Sequence, residues 1–228
     1  MFQENKQMGG RGESGIAPRY IAIEGPIGAG KSTLARRLAG DLDSRLVVES
    51  LEDNPFLPEF YKDRRKHALK TQILFLINRY QQQRDLLQQD LFSQGVIRDY
   101  LFSKDRIFAV LNLNKEELFI YDKIYTLLDV QLPKPDLVVF LQASTDVLKK
   151  HIRKRGVAYE RHIGDDYLEE LSEAYSRFFF TYSETPLLTV NVTDIDFVKN
   201  KADYESLVKA ILSAPAKRGG KMYLSIGK

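Results

Sequence analysis

The amino-acid sequence predicts an α/β fold with a five-stranded parallel sheet flanked by helices. Two observations predict it. A glycine-rich motif near the start of the chain lies between an apolar strand pattern and a helical pattern. Further along, short β-rich runs alternate with helical patterns, which is typical of βαβ units. The five predicted strands are Tyr20–Glu24, Leu46–Glu49, Val96–Asp99, Leu137–Leu141 and Leu188–Val192.

The first predicted strand is followed by G-P-I-G-A-G-K-S, which matches the P-loop pattern G-x-x-x-x-G-K-[ST]. Such a loop turns consecutive backbone N–H groups toward a phosphate chain, and the helix that follows adds a partial positive charge. The lysine can reach the β- and γ-phosphates, and the serine hydroxyl can join the shell of Mg²⁺. A nucleoside triphosphate is therefore expected to bind Gly25, Pro26, Ile27, Gly28, Ala29, Gly30, Lys31, Ser32 and Thr33.

Four segments have helical patterns. The first follows the P-loop and carries a leucine stripe that is expected to pack on the sheet. The second, Arg64–Phe92, is apolar on more than one face, so a partner helix is expected beyond the sheet. A second copy of the chain could supply that helix in a homodimer, and so could another helix of the same chain. Two further helices are predicted at Leu111–Leu128 and Asp165–Tyr182.

The composition excludes several kinds of chemistry. There is no cysteine among the 228 residues, which excludes disulfides, thiol catalysis and cysteine-based zinc sites. The net charge of +3 is too small to indicate a nucleic-acid binder. No apolar run is long enough to span a bilayer. We therefore expect neither a nucleic-acid partner nor a membrane association.

The chain is predicted to form one domain between two tails. Residues 1–18 are rich in glycine and charge and lack the apolar segment of a signal peptide, so a flexible tail is expected. Residues 213–228 are predicted to form a basic tail, and residues 19–212 the domain. The absence of targeting signals and cysteines favours a cytoplasmic location.

Polar groups follow the predicted strands at the edge where parallel sheets bind ligands. The second strand ends in Glu49, the third in Asp99, and the fourth leads toward the basic run Arg153–Arg155. Two carboxylates and a cationic cluster beside a nucleoside triphosphate fit phosphoryl transfer, with one acid for the acceptor and one near Mg²⁺. Taken alone, the basic run is more often a solvated helix end.

From about Arg19 to Val208 these motifs resemble those of the deoxynucleoside kinase family. After its second strand the family has the motif E-P-V, which often continues x-x-N-P-x-L-x-x-F-Y. In this chain the corresponding stretch begins E-S-L-E-D-N-P-F-L at Glu49 and ends with F-Y at Tyr61. The resemblance implies that Glu49 is the general base for the 5′-hydroxyl and that Tyr61 contacts the sugar 3′-hydroxyl. It also implies a P-loop kinase fold with an Arg-rich lid, and Mg·ATP as donor.

The family's nucleobase site is implied by two further matches. Gln72 and Arg79 have the Q-x₆-R spacing of the long helix. Gln72 resembles the amide that makes paired hydrogen bonds to the base, and Arg79 resembles the arginine at the base edge. After the third strand the family reads [DE]-R-S-x-x-x-D-R, and here the stretch is D-Y-L-F-S-K-D-R. Asp99 keeps the acidic position that supports Mg²⁺, and Asp105 keeps the partner of the base-edge arginine.

Tyr100 replaces the arginine of that last motif, a residue that helps to hold the catalytic carboxylate and the phosphate. Either Arg98 or Lys104 could take its place. Arg98 is expected to point to the opposite side of the strand from Asp99, because side chains alternate along a strand.

The family's lid motif, R-x-x-x-R-G-R-x-x-E, corresponds to H-I-R-K-R-G-V-A-Y-E in this chain. Arg155 falls on a lid arginine and is implied to be catalytic, while His151 and Val157 depart from the pattern. Arg153 supplies charge at a shifted position and is expected to contact ATP. Glu160 resembles the glutamate that pairs with the sugar 3′-hydroxyl. A loop that resembles the adenine-binding loop of the family contains Asp194, Ile195, Asp196 and Phe197.

The resemblance implies transfer of the γ-phosphoryl group of ATP to the 5′-hydroxyl of a deoxynucleoside. An Arg79–Asp105 pair would suit a base edge with an amino group or ring nitrogen and would leave little room for a methyl group. Purine deoxynucleosides or deoxycytidine are therefore expected over thymidine. One alternative is a nucleoside monophosphate kinase, which would need more cations for its acceptor. The other is a non-catalytic structural or regulatory protein, which would usually lose the phosphate-binding lysine.

Overall fold

The computed structural model describes residues 19–49, 54–88, 95–129, 132–214 and 219–225, with side chains described as far as residue 84 in the second range. The predicted tail at residues 1–18 and Ser50 lie outside the described residues, as does the end of the predicted helix beyond Gln88.

The described strands are β1 (Tyr20–Glu24), β2 (Arg45–Val47), β3 (Val96–Arg98), β4 (Leu137–Gln142), β5 (Leu187–Asn191) and β6 (Lys221–Ser225). The helices are α1 (Lys31–Asp41), α2 (Leu57–Lys62), α3 (Arg64–Gln88), α4 (Lys104–Asn112), α5 (Lys115–Asp129), α6 (Thr145–Arg155), α7 (Asp165–Thr181) and α8 (Lys201–Leu212). A 3₁₀ helix, Ala158–His162, follows α6. None of the described helices has the length and apolar character that a bilayer crossing requires.

All neighbouring strands of the sheet are parallel, in the order β2-β3-β1-β4-β5-β6. The predicted number of strands, five, is therefore wrong, because the described residues form six. The sixth strand lies in the stretch that was predicted to be a basic tail. Its residues alternate, with Met222 and Leu224 packed against the core and Tyr223 exposed. This period of two is what a half-covered edge strand requires.

The helix predicted at Leu111–Leu128 corresponds to α5, but its predicted start is wrong, because the chain breaks between α4 and α5. Asn114 accounts for the break. Its side-chain oxygen accepts a hydrogen bond from the backbone N–H of Glu117 at 2.9 Å, and the Glu117 carboxylate accepts one from the backbone N–H of Asn114 at 3.1 Å. This reciprocal pair satisfies donors at the start of α5 and begins a new helix.

Helices cover both faces of the sheet. On one face, Leu34 and Leu38 of α1 pack with Ile21 and Ile23 of β1, as the leucine stripe predicted. On the other face, Tyr175 of α7 stacks on Phe140 of β4, with ring centroids 6.1 Å apart. With both faces covered, β1 and β4 are almost wholly buried and hold their carboxyl ends rigidly.

The long helix α3 buries its apolar residues against two groups of helices of the same chain. Phe75 packs with Phe60 of α2 and Tyr167 of α7. Leu76 packs with Ala109 of α4 and Tyr121 of α5. Helices of the same chain thus supply partners for α3, and this arrangement holds its polar residues against the carboxyl edge of the sheet.

Candidate active site

The P-loop connects β1 to α1 and depends on glycines at two positions. Gly28 and Gly30 have φ angles of 87° and 92°, which L-residues rarely adopt. A Cβ on Gly30 would lie 2.8 Å from the ring of Phe197. The Nζ of Lys31 donates hydrogen bonds to the carbonyls of Gly25 at 2.7 Å and Pro26 at 3.1 Å. The lysine therefore folds back over the loop, at the place where a phosphate chain would lie.

Ser32 and Asp99 bring two oxygen ligands together at the start of α1. The Ser32 hydroxyl donates a hydrogen bond to Asp99 Oδ2, and Asp99 Oδ1 accepts one from the backbone N–H of Glu49 at 2.7 Å. No group of three or more metal-binding side chains occurs in the described part of the chain. A hydroxyl and one carboxylate suit Mg²⁺, which commonly takes one or two protein oxygens and completes its shell with water and phosphate.

One cavity brings together the predicted catalytic residues, the predicted metal ligands and most of the predicted substrate residues. It is lined by the predicted catalytic residues Glu49, Lys31 and Arg155, the predicted metal ligands Ser32 and Asp99, and the predicted substrate residues Tyr61, Gln72, Arg79 and Glu160. Asp105 lies behind Arg79 and is wholly buried. The P-loop thus opens directly onto a pocket with an apolar wall, which Phe75, Phe108 and Tyr175 provide.

Glu49 is held by cations on both of its carboxylate oxygens. Oε1 accepts hydrogen bonds from the Arg79 guanidinium, with the Nε at 2.7 Å, and Oε2 accepts one from Lys104 Nζ at 2.6 Å. Burial favours the neutral acid, but the charges of Arg79 and Lys104 outweigh it and lower the pKa of Glu49 to about 2. Glu49 is therefore ionised at neutral pH.

Arg79 also forms an ion pair with the carboxylate of Asp105, which accepts a hydrogen bond from the Tyr121 hydroxyl at 2.7 Å. Gln72 lies seven residues before Arg79 in α3 and is 2 % exposed. Its side-chain oxygen has no hydrogen-bond partner among the described residues. A buried, unsatisfied amide oxygen beside an arginine provides directional polar groups in an otherwise apolar pocket.

The residues of the predicted lid motif lie in different places in the structure. Arg155 forms a bidentate pair with Glu160, with N···O distances of 3.0 and 2.5 Å, and Glu160 is buried. Tyr159 next to it stacks on Tyr61, with the ring planes 7° apart. Arg153 is exposed and lines a different surface pocket, so the structure does not bring it to the cavity. His151 instead lies against the P-loop, with Nδ1 2.8 Å from the carbonyl oxygen of Gly28.

The loop after β5 contacts the P-loop and does not line the cavity. Phe197 packs against Gly30, and its carbonyl accepts a hydrogen bond from Arg37 at 2.7 Å. Asp196 accepts hydrogen bonds from the next backbone N–H groups, those of Val198 and Lys199. This turn stabilises the segment that contains Asp194 and Ile195, which does not line the cavity with Glu49.

Sequence reasoning missed Glu24 as a site residue. It ends β1, it is wholly buried, and neither of its carboxylate oxygens has a hydrogen-bond partner among the described residues. Burial raises its pKa to about 7, although Lys104 and Lys31 act in the opposite direction. A charged residue at the end of an apolar strand, just before the P-loop, is the signal that could have revealed it.

Arg98 and Tyr100 hydrogen-bond to each other. Arg98 donates hydrogen bonds to the hydroxyls of Tyr100 at 2.5 Å and Tyr20 at 3.2 Å, and all three side chains are buried. Arg98 is therefore engaged with tyrosines, whereas Lys104 makes the contact with Glu49 that the sequence left open.

Comparison with known proteins is consistent with this geometry. The family model "Deoxynucleoside kinase" matches residues 21–214. A deoxyguanosine kinase of Bacillus subtilis is 39% identical over 193 residues, which cover 82% of this chain and 93% of the relative. A deoxyadenosine kinase of Lactobacillus acidophilus is 30% identical over 209 residues, which cover 85% of this chain and 94% of the relative. A solved structure of deoxyadenosine kinase from M. mycoides with bound dATP has a TM-score of 0.72 at 28% identity and covers 85% of this chain and 99% of its own.

The chain belongs to the deoxynucleoside kinase family. It is an enzyme, a deoxynucleoside kinase with the P-loop kinase fold, and the family implies ATP as the phosphate donor. The family match ends at residue 214, so β6 lies beyond it.

Proposed function

We propose that the enzyme transfers the γ-phosphoryl group of Mg·ATP to the 5′-hydroxyl of a purine deoxynucleoside, with deoxyguanosine as the leading candidate. One observation carries the proposal. A single cavity joins the P-loop residues Lys31 and Ser32 to the ionised Glu49 and to the buried polar groups of Gln72 and Arg79.

Glu49 is the proposed general base. As the 5′-oxygen forms its bond to the γ-phosphorus and the bond to the bridging oxygen of ADP breaks, the 5′-hydroxyl proton passes to the Glu49 carboxylate. Lys31 would leave the carbonyls of the P-loop for the phosphates, and Arg155 would stabilise the charge on the transferred group. Mg²⁺ held by Ser32 and Asp99 would neutralise charge on the phosphate oxygens.

The acceptor is proposed to lie between Glu49 and the lid. Tyr61 and Glu160 line the same cavity and offer a phenol and a carboxylate for the sugar 3′-hydroxyl. Gln72 would take the base through its unpaired oxygen and its amide nitrogen, with Arg79 at the base edge and Asp105 behind it. The relatives' names support a purine, since they include deoxyguanosine and deoxyadenosine kinases.

Adenine of ATP is proposed to bind beside the loop Asp194–Phe197, which contacts the P-loop through Phe197 and Gly30. Arg153, on the outer side of α6, would reach the donor only if the lid moved, and its role as an ATP ligand stays a prediction. A homodimer through α3 and α5 is supported by Phe119 and Leu127, which are 64% and 71% exposed. The cytoplasmic location stays a prediction from the sequence.

A panel of acceptors tests the proposal. Purified enzyme with Mg·ATP is assayed with deoxyguanosine, deoxyadenosine, deoxycytidine and thymidine, and with dGMP and dAMP as monophosphate controls. The expected order places a purine deoxynucleoside first by kcat/KM and thymidine last, with no turnover of the monophosphates. Fastest turnover of thymidine would refute the base preference, and turnover of dGMP or dAMP alone would favour a monophosphate kinase.

A further inference from the structure

Lys104 is a buried lysine that the family resemblance did not assign. Its side chain is 4% exposed, at the first position of α4. Its Nζ lies 2.6 Å from Glu49 Oε2 and 3.7 Å from Glu24 Oε1. An ammonium is expensive to remove from water, so a lysine stays charged at such a site when carboxylates face it. Here two carboxylates from two different strand ends face it.

The three groups connect three elements at the carboxyl edge of the sheet. Glu24 is the last residue of β1 and is fixed by the rigid centre of the sheet. Glu49 lies two residues beyond the end of β2, a short strand at the sheet edge. Lys104 forms ion pairs with both carboxylates, that of Glu24 at the centre of the sheet and that of Glu49 at its edge. Glu24 has no hydrogen-bond partner among the described residues, which leaves it available to attract the ammonium.

The two oxygens of Glu49 are divided between two cations. Oε1 faces Arg79, which also contacts Asp105, and Oε2 faces Lys104. If Lys104 were absent, only Arg79 would orient the carboxylate, and Asp105 competes for Arg79. The direction of Oε2 therefore depends on Lys104.

We propose that Lys104 is a positioning residue, anchored by Glu24, that orients the Glu49 carboxylate for the 5′-hydroxyl of the acceptor. The inference rests on the proposed role of Glu49 as the general base. Lys104 takes the place of the missing arginine at Tyr100, because Arg98 is engaged with the hydroxyls of Tyr20 and Tyr100.

The test is a double-mutant cycle with separate measurement of kcat and KM. Lys104→Met keeps the length and apolar stem of the side chain but removes its charge. We expect kcat to fall by roughly 10- to 100-fold, since part of a general base's contribution is lost when it is misoriented. The KM for ATP is expected to stay within about threefold, since Lys104 forms its ion pairs with Glu49 and Glu24 and not with a P-loop phosphate ligand. Lys201→Met, an 84% exposed lysine paired with Glu205, is the matched control and should leave kcat unchanged.

The second half of the cycle places Lys104→Met in a Glu49→Gln background. A residue that acts through Glu49 should have almost no further effect there, whereas a residue that only supports the fold should lower kcat by the same factor in both backgrounds. Equal factors would overturn the inference, and so would wild-type kcat in Lys104→Met. If Lys104→Met proves insoluble, Glu24→Gln is measured instead, with an expected severalfold loss of kcat that disappears in the Glu49→Gln background.

The outcomes separate the two proposals. Wild-type enzyme that phosphorylates no deoxynucleoside, or Glu49→Gln with wild-type kcat, would refute the proposed function. Active wild-type enzyme with a Glu49→Gln defect, but without coupling to Lys104, would refute only the inference about Lys104.

Discussion

Arg79 in the middle of α3 contacts Asp105 at the start of α4, and neither side chain is more than 5% exposed. Arg79 also holds Glu49, so the same guanidinium contacts the proposed base-recognition carboxylate and the proposed catalytic carboxylate. The nucleobase end and the reacting end of the cavity are therefore linked through one side chain.

Asp105→Asn is expected to raise the KM for the acceptor by at least roughly tenfold. The change keeps the shape of the side chain but leaves the buried Arg79 with one carboxylate instead of two, and unpairing a buried charge is costly. The measurement is KM and kcat for deoxyguanosine and deoxycytidine. Asp122→Asn, which breaks the exposed pair between Asp122 and Arg106, is the control and should change neither value. An unchanged acceptor KM in Asp105→Asn would remove Asp105 from the base site.

Lys31→Ala is expected to lower kcat/KM for ATP by more than about tenfold, because the ammonium is the one P-loop side chain that can reach the β- and γ-phosphates. Steady-state kinetics at varied ATP concentration measures this loss of kcat/KM. Lys201→Ala, on the exposed start of α8, serves as the control. A loss smaller than about tenfold would show that Lys31 does not have the assigned role.

Gly30→Ala is expected to destabilise the protein by about 1–2 kcal/mol, because a left-handed conformation disfavours any L-residue and the new Cβ would meet the ring of Phe197. Gly40→Ala is the matched control. Gly40 lies within α1, and open space surrounds the position that a methyl group would take there. Alanine should therefore stabilise the protein by up to about 1 kcal/mol through its helix propensity. Urea denaturation of both variants measures the difference. Equal stability changes of the two variants would contradict the prediction.

Glu24 should make the stability depend on pH. A glutamate in the unfolded chain ionises near pH 4.5, whereas burial raises the pKa of Glu24 to about 7 in the folded protein. Between these two pH values the folded chain keeps a proton that the unfolded chain releases. The contribution of Glu24 to the free energy of unfolding is therefore complete below pH 4.5 and is lost as the pH rises through 7. The free energy of unfolding of the wild type, relative to Glu24→Gln, should therefore fall by roughly 1–3 kcal/mol between pH 5 and pH 8.

Urea denaturation at several pH values measures this difference. Glu173→Gln is the control, since Glu173 is 72% exposed and its removal should give a difference that does not change with pH. If the difference in free energy of unfolding between the wild type and Glu24→Gln were also constant, Glu24 would be ionised throughout the range from pH 5 to pH 8.

The sequence was sufficient for the parts of the fold that depend on local patterns. The P-loop, and the positions of Glu49 and Asp99 just beyond β2 and β3, follow from glycine spacing and apolar runs, and these residues meet in one cavity. The strand β6 was missed because the lysines and glycines of the stretch around it are typical of a solvated tail, and its pairing with β5 is a long-range contact. The break at Asn114 was hidden by apolar residues on both sides.

Which cation would contact Glu49 could not be predicted, because the answer depends on how α4 packs against the sheet. Arg98 and Lys104 lie on either side of Asp99 in the chain, and only the tertiary structure shows that one meets tyrosines and the other a carboxylate. The position of Arg153 relative to the cavity could not be predicted for a similar reason. A shift of two residues along α6 moves a side chain from the inner to the outer side of the helix, as the contrast with Arg155 shows.

Because all six strands run in the same direction, β1 begins at one end of the sheet and β6 finishes at the other. A reporter or affinity handle joined directly after Ser225 would thus start from the side of the proposed nucleotide site, whereas one joined directly before Tyr20 would start from the opposite side. Immobilisation through the upstream end should leave substrate access unobstructed.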